Sequence, residues 1–297
     1  MITTTGRSTL AEALDAALKQ DYSNHEVVVV SSIEIDWLAE KASRNTRVHY
    51  VCLRRHVNAN EARNAGIAHA RGEFVALLDD DDVWEPQKIT KQVAAVSDTS
   101  DRRKPQFCAT AYKLKGRFEG EVWPSRPIWD SEPISDYLFR RRSLRRSSQG
   151  FQTSTWLVTR SFMLDHPFDE QRTIHQDWDW LLRHWDELEH HFIPEALSTY
   201  RFEGEGSMSR NSRWQESYNW ATDPSLPLSR RARGDLLATT VLNRALAERK
   251  IRPVLITLRA AIARGTPGFS ALSIALPRIV RELVRKGRHN ESRLRSQ

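Results

Sequence analysis

An α/β fold built on a mostly parallel sheet, followed by a helical extension, is what this sequence predicts. Three observations carry the prediction. Short apolar or β-branched runs alternate with helical periodicities through the first hundred residues. One of those runs, Glu73 to Leu78, ends in four consecutive aspartates. From about Ser229 onward only helical spacing remains. Strand–helix–strand repetition lays successive strands side by side and parallel, with helices on both faces. Ligands of such sheets bind beyond the carboxyl ends of the strands, where these aspartates stand.

Taken in order, Thr9-Leu10-Ala11-Glu12 reads as a capping box, in which hydroxyl and carboxylate satisfy end amides reciprocally. Leu10, Leu14 and Leu18 then share one helical face. Glu26 to Val30 is too short for a helix and β-branched, hence a buried strand. A helix is expected over 33–44, a strand over 47–53, and a helix over 60–70 in which Ala62, Ala65 and Gly66 suit close packing. Glu73 to Leu78 is the next strand, and Pro86, tolerated in a first helical turn, opens a helix to about Val96. Beyond Pro105, strands are expected over 107–114, 154–159 and 197–202, and a Trp-rich helix over 177–188. Helices then cover 235–249, 254–264 and 273–286. The expected division is an α/β domain over 1–205, in halves 1–100 and 101–205, and a basic helical extension over 206–297.

Of the 297 residues 39% are apolar and ten are Trp, which excludes a disordered chain. Cys52 and Cys108 stand in no metal or redox spacing and read as reduced thiols. Met1 to Gly6 lacks the apolar run of a signal peptide, and no stretch has the roughly 18 apolar residues of a membrane span. A cytoplasmic protein, at most peripheral to the inner face of the plasma membrane, is the expectation. The net charge of +7 is uneven. Ser229 to Gln297 holds 16 Lys and Arg against 4 Asp and Glu, so this tail carries +12 and the rest −5. Its helices mix Leu, Ile and Val with Arg, a pattern suited to an anionic lipid surface or to a helical bundle with a solvated basic face. The loop Arg140 to Arg146 adds a second basic cluster, for the same surface or for substrate phosphates.

The aspartates carry the chemistry. Four adjacent carboxylates repel one another unless a cation lies among them, and hard Mg²⁺ or Mn²⁺ favours oxygen ligands while leaving positions for phosphate. The bland alternative is a solvated acidic loop that caps the helix opening at Pro86.

The stretch Asn60-Glu61-Ala62-Arg63-Asn64-Ala65-Gly66-Ile67-Ala68-His69-Ala70-Arg71-Gly72-Glu73-Phe74, with Asp79-Asp80-Asp81-Asp82-Val83-Trp84-Glu85-Pro86 after it, resembles the family 2 glycosyltransferases of the GT-A fold. Their counterparts are an "ARN-x-GI-x-x-A-x-GE" stretch and a "D-x-D-D-x-W-x-P" motif. The resemblance covers about residues 1–205. It implies a nucleotide-sugar half over 1–100, an acceptor half over 101–205, and transfer from a nucleotide-diphosphate sugar to a glycan or lipid-linked hydroxyl. It further implies a divalent metal held by Asp81, Asp79 and Asp82, with Thr4, Arg7, Arg63, Asp79 and Asp80 on the donor. His175-Gln176-Asp177 resembles the family's "E-D" element, which makes Asp177 the base, with His175 and Asp179 as rivals and a helix N-cap as its structural alternative. Thr155, Trp156 and Trp178 would face the acceptor. Two departures stand out: the sequence begins in the middle of the family's first strand, through a late start or a shortened strand, and Ser31 and Ser32 stand in place of aspartates that contact the nucleobase. Two other classes compete: a nucleotidyltransferase, which would show a glycine-rich phosphate loop, and a non-catalytic binding protein with a basic tail. The tail arginines lack interleaved aromatics, so no nucleic-acid partner is expected.

Overall fold

The computed structural model describes residues 1–98, 103–116, 118–129, 131–144, 149–201 and 213–294. They form two compact units, one of Met1–Pro127 with Ser148–Ser207, the other of Ile128–Ser147 with Met208–Gln297.

The first unit runs β1 (Ile2–Thr4), α1 (Leu10–Leu18), β2 (Val27–Ser31), α2 (Asp36–Arg44), β3 (Val48–Cys52), α3 (Ala59–His69), β4 (Phe74–Ala76), β5 (Leu78–Asp79), β6 (Val83–Trp84), α4 (Lys88–Ser97), β7 (Gln106–Lys115) and β8 (Val122–Trp123). After α5 (Ile134–Phe139), which belongs to the second unit, it resumes with β9 (Leu157–Thr159), α6 (Arg160–Asp165), α7 (Gln176–His184) and β10 (Glu189–Arg201). Strands β3-β2-β1-β5 form an all-parallel sheet, with Ile2 opposite Val29 on one side and Leu78 on the other. A second, mixed sheet has the order β4-β9-β7-β10-β6. The apolar run expected as one strand serves both sheets. Phe74–Ala76 pair antiparallel with β9, the Leu77 amide donates to Trp156 O, and Leu78–Asp79 pair with β1. This run therefore delivers the aspartates to the point where the two sheets meet. Ile2, Leu10, Leu14, Val29, Leu38 and Leu78 form the core between the parallel sheet and its helices.

Several local expectations are corrected. Thr9 has helical backbone angles and its buried hydroxyl finds no partner, while Glu12 pairs with Arg201, so no capping box opens α1. The box forms instead on α3, where Asn58 Oδ1 accepts from the Asn60 and Glu61 amides and Glu61 Oε2 accepts from Asn58 N. Helix α4 starts at Lys88, two residues after Pro86. Its orphan Ile89 amide is satisfied at 3.0 Å by Gln20 Oε1, not by the acidic run. Residues 153–155 make a 3₁₀ turn rather than the start of a strand. The Trp-rich helix ends at His184 and tightens into a 3₁₀ turn over Trp185–Glu187. Within β10, Pro194 has no amide for the ladder with β7, and the register shifts between Ile193 and Ser198. Phe202, expected in this strand, lies outside the described residues. Gly66 marks a close approach, since a Cβ there would stand 2.7 Å from Met1 Cγ and 3.0 Å from Val30 Cγ2.

The second unit joins α5 to α8 (Trp214–Thr222), α9 (Arg230–Leu236), a π-helical turn (Leu237–Val241), α10 (Leu242–Ala247), α11 (Ile251–Arg264) and α12 (Phe269–Leu294). Segment 128–147, assigned by sequence to the acceptor half, packs here. Ser229 Oγ donates to Asp136, Arg141 N donates to Asp235 Oδ2 at 2.8 Å, and Phe139 meets Trp220 edge-on. Arg142 of the basic loop pairs with Glu132 at 2.8 Å and lies over the Trp129 ring. Arg145 and Arg146 lie outside the described residues. Among the described residues no helix is long and apolar enough to cross a membrane.

Candidate active site

The four aspartates divide by burial. Asp82 is 1% exposed, and both of its oxygens are used: Ser154 Oγ donates to Oδ2 at 2.5 Å and Arg201 N to Oδ1 at 3.2 Å. Asp80 is also buried, accepting from Thr4 Oγ1 at 2.5 Å and pairing with Arg7 at 3.3 Å. Asp79 and Asp81 keep 31% and 19% of their side-chain surface. Asp79 accepts from Arg63 Nη2 at 3.0 Å and from Thr153 Oγ1 at 2.9 Å, and Asp81 pairs with Arg7. The alternation corrects part of the expected ligand set. Asp82 is a structural anchor, and Thr4 with Asp80 braces the acidic turn to the end of β1. The open oxygen donors are Asp79 and Asp81, the hard set that Mg²⁺ or Mn²⁺ takes.

Negative charge accumulates here beyond what Arg7 and Arg63 neutralise. Burial raises the pKa of Asp81 above its usual value, and the neighbouring Asp79 adds to the effect more than Arg7 offsets it. Asp80 is raised by burial, and Asp82 well above the usual range by burial and by Asp79. A cation is the natural counter to such a cluster.

The turn behind the run is held from two sides. Trp84 Nε1 donates to Ser154 O at 2.7 Å, and Gln92 Nε2 of α4 donates to Thr155 O at 2.9 Å and to Cys108 O at 2.8 Å. Gln92 is itself fixed by the fully buried Lys88, whose ammonium lies over the Trp84 ring and donates to Gln92 Oε1 at 2.6 Å. Burial lowers this lysine's pKa to about 7. With their backbone pinned, Thr153 and Ser154 return side chains to Asp79 and Asp82, and Ser154 Oγ also accepts from the Asp79 amide at 3.1 Å.

Helix α3 links the acidic run to the residues that precede α7. Its Arg63 is 7% exposed, held between Asp79 and the Phe168 ring, which removes the reading of an exposed helix arginine. Asn60 Nδ2 donates to Asp169 O at 2.7 Å and to Arg172 O at 3.2 Å, Asn64 Nδ2 donates to Phe168 O at 2.9 Å, and Asn58 Nδ2 donates to Glu170 O at 2.6 Å. The chain then enters α7 through His175, a left-handed N-cap (φ 59°) whose ring stacks on Trp178 at 4.9 Å. Asp177 lies inside the first turn, so it is not the cap. Burial raises its pKa, a hydrogen bond from the Trp178 amide and the charge of Arg63 pull it back, and Asp79 pushes it up, so this carboxyl feels both members of the Arg63–Asp79 pair. The rival Asp179 is buried between Arg172 (3.2 Å) and Arg183 (3.0 Å). His175 is 8% exposed.

Two expected acceptor residues are corrected. Trp156 and Thr155 are both fully buried; the indole donates to Phe151 O at 3.2 Å and the hydroxyl to Gln152 O at 2.6 Å. Trp178 is half-buried. Sequence reasoning missed Tyr200, half-buried on β10. Its pKa is raised by burial and then by Asp82, Asp79, Asp81 and Asp177, so the phenol stays protonated among four carboxylates. No sequence pattern singles it out, because the pairing of its strand with β6 shows only in the fold. A cavity of about 720 Å³ lined by Met1, Glu26, Val28, Gly72 and Trp84 opens at the amino ends of β1 and β2, and none of the four aspartates lines it.

Comparison with known proteins agrees with this geometry. The model of glycosyl transferase family 2 matches residues 1–164. Amylovoran biosynthesis glycosyltransferase AmsB of Erwinia amylovora is 31% identical over 199 residues, 63% of either chain. The chain spans about three fifths of the length of the first relatives it matches. S. aureus TarS 1-349 superposes with a TM-score of 0.55 at 16% identity, over 88% of this chain and 80% of that one. The mannosyltransferase PcManGT from Pyrobaculum calidifontis, in complex with GDP-Man and Mn²⁺, gives 0.54 at 15% identity, over 94% and 78%. With the matched model extending over more than half of its length, the chain belongs to glycosyl transferase family 2 and has the α/β fold of the GT-A glycosyltransferases.

Proposed function

We propose that this chain transfers a sugar from a nucleotide diphosphate to a hydroxyl of a growing polysaccharide or lipid-linked glycan, with inversion at the anomeric carbon. One observation carries the reading: Asp79 and Asp81 stand partly open at the end of the strand, and Asp79 is paired at 3.0 Å with Arg63, the two charges that also act on the half-buried Asp177. Asp79 and Asp81 would hold Mn²⁺ or Mg²⁺, which when bound neutralises the charge gathering on the departing diphosphate. Arg63 orients Asp79, and Arg7, bridging Asp80 and Asp81, sets the shape of the turn. Asp177 accepts the acceptor's hydroxyl proton as its oxygen bonds to the anomeric carbon and the nucleotide leaves with the bonding pair. Burial makes this carboxylate more basic than usual, and Arg63 favours its ionised form. Tyr200, a protonated donor beside the same carboxylates, is placed to hydrogen-bond a phosphate or sugar oxygen. The polysaccharide acceptor is supported by the name of AmsB, and the metal by the Mn²⁺ in PcManGT.

Thermal denaturation tests the reading. With Mn²⁺ present, one of UDP-, GDP- or dTDP-sugar at a hundred times its Kd is expected to raise Tm by roughly 5–10 °C, and to raise it little after chelation. No shift with any of the three, with or without Mn²⁺, would sink the proposal.

For the second unit we propose contact with an anionic membrane. Ile251, Leu255 and Ile262 on α11, and Phe269, Leu272, Leu276 and Val280 on α12, are exposed in helical stripes flanked by exposed Arg252, Arg259 and Arg281. The chain is expected to sediment with phosphatidylglycerol vesicles and not with phosphatidylcholine alone. Each of those arginines changed to Ala should weaken binding about fivefold, near 1 kcal/mol per basic residue. Equal binding to both vesicles would remove the electrostatic part of the reading.

A further inference from the structure

Away from the aspartates, three metal-ligating side chains converge at the far end of α7. His166 caps the carboxyl end of α6, His184 is the last residue of α7, and Glu187 closes the 3₁₀ turn that follows. Glu187 Oε2 lies 3.8 Å from His166 Nε2, and Oε1 lies 3.3 Å from His184 Nδ1. One nitrogen from each ring and a carboxylate oxygen all fall within 4.8 Å of one another. A tetrahedral zinc ion with bonds of about 2.0–2.2 Å has ligand–ligand edges of about 3.3–3.6 Å, so little closure separates this arrangement from a coordination shell.

The rings are already oriented. His166 Nδ1 lies 3.1 Å from Phe162 O, and because a carbonyl only accepts, Nδ1 carries the hydrogen. In the neutral ring this leaves the Nε2 lone pair facing the Glu187 carboxylate, two acceptors that need a cation or a second proton between them. A ring N–H given to a backbone carbonyl is also the usual support of a metal-bound histidine. Phe162 stacks on His166 at 4.2 Å and meets His184 edge-on at 5.9 Å, Trp180 lies 5.3 Å from His184, and Trp180 Nε1 donates to His166 O at 2.8 Å. Both imidazoles are thus fixed by packing. Glu187, with 53% of its side chain exposed, is free to adjust and leaves room for water as a fourth ligand.

We propose that His166, His184 and Glu187 bind a zinc-class transition-metal ion, which clips the end of α6 to the end of the helix that bears Asp177. Two imidazole nitrogens and one carboxylate suit Zn²⁺ or Co²⁺ and disfavour Mg²⁺ and Ca²⁺, the opposite of the all-oxygen acidic run.

The test is titration of the full, chelator-treated chain with Zn²⁺ near neutral pH, followed by calorimetry, and with Co²⁺, followed by its visible absorption. One zinc ion per chain is expected, retained when Asp81 is changed to Asn. Affinity should fall at least tenfold in Glu187→Gln and in His166→Ala. Glu187→Gln decides the matter even if the histidine variant folds poorly, because its side chain lies largely in solvent. The proposal is overturned if the native chain takes up no Zn²⁺, in which case a proton bridges His166 and Glu187. It is equally overturned if uptake survives Glu187→Gln or vanishes with Asp81→Asn.

Discussion

Asp177→Asn is expected to lower kcat by about 10²–10⁴, the usual contribution of a general base, while leaving donor affinity and Tm close to those of the native chain. The stability half follows from geometry. His175, not Asp177, caps α7, and the first turn keeps its backbone bonds whichever group stands at 177. The amide is nearly the size of the carboxyl, and burial already disfavours the charged form, so the neutral replacement relieves a cost. Single-turnover kinetics beside a donor-binding isotherm give both numbers. A variant that turns over at the native rate would remove Asp177 from the chemistry, and one that loses donor binding and Tm together would make it a structural residue. Asp179→Asn is the contrast. Its carboxylate pairs with Arg172 and accepts a hydrogen bond from Arg183, so its loss should show in Tm before it shows in kcat.

Neighbours in the acidic run should respond in opposite senses. Asp81→Asn is expected to reduce kcat/KM by at least about 10², comparable to removing one electrostatic stabiliser of a transition state, and to abolish the Mn²⁺-dependent part of the thermal shift. The metal-free variant should nevertheless melt no lower than the native chain. The folded chain raises the Asp81 pKa above 3.8 through burial and the charge of Asp79, so it binds that proton more tightly than the unfolded chain does. Stability from this group is therefore present at low pH and is lost as pH rises from about 4 through the raised value. Asparagine removes the dependence. The Tm advantage of the variant should widen upward across that window and then stay level, and a gap that narrows with rising pH would contradict the assignment. Asp82→Ala reverses the pattern. It strands Ser154 Oγ and the Arg201 amide, at about 1–3 kcal/mol for a buried unmet partner, and should lower Tm by several degrees.

The contrast between Asp81 and Asp82 also shows how far the sequence could be read. The parallel strands were legible because β-branched runs such as Val27–Val30 have no helical alternative of that length. The acidic run was legible as a site because it directly follows a strand. Which aspartate faces outward was not, since that depends on Thr4, Ser154 and Arg201, which are 76, 72 and 119 residues away from their partners in the chain. The box expected at Thr9 failed because Glu12 was taken by Arg201, a partner no local pattern names. Trp156 was read as an acceptor residue from the family resemblance of its strand, yet a strand end at the junction of two sheets turns that indole inward. Tyr200 escaped notice because one tyrosine in an irregular strand carries no pattern.

The three asparagines of α3 and its cap hold residues 168–172 mainly through the main chain: Asn58, Asn60 and Asn64 each donate to a carbonyl there, Asn64 Oδ1 accepts from the Phe168 amide, and Asn64 Nδ2 also reaches the Glu170 carboxylate at 3.0 Å. Most of that clasp is indifferent to side-chain identity, the Glu170 carboxylate and the Phe168 ring against Arg63 being exceptions. A substitution at Glu170 should consequently disturb the helix that follows less than a shift of the main chain over 168–172, because the carbonyls carry most of the grip.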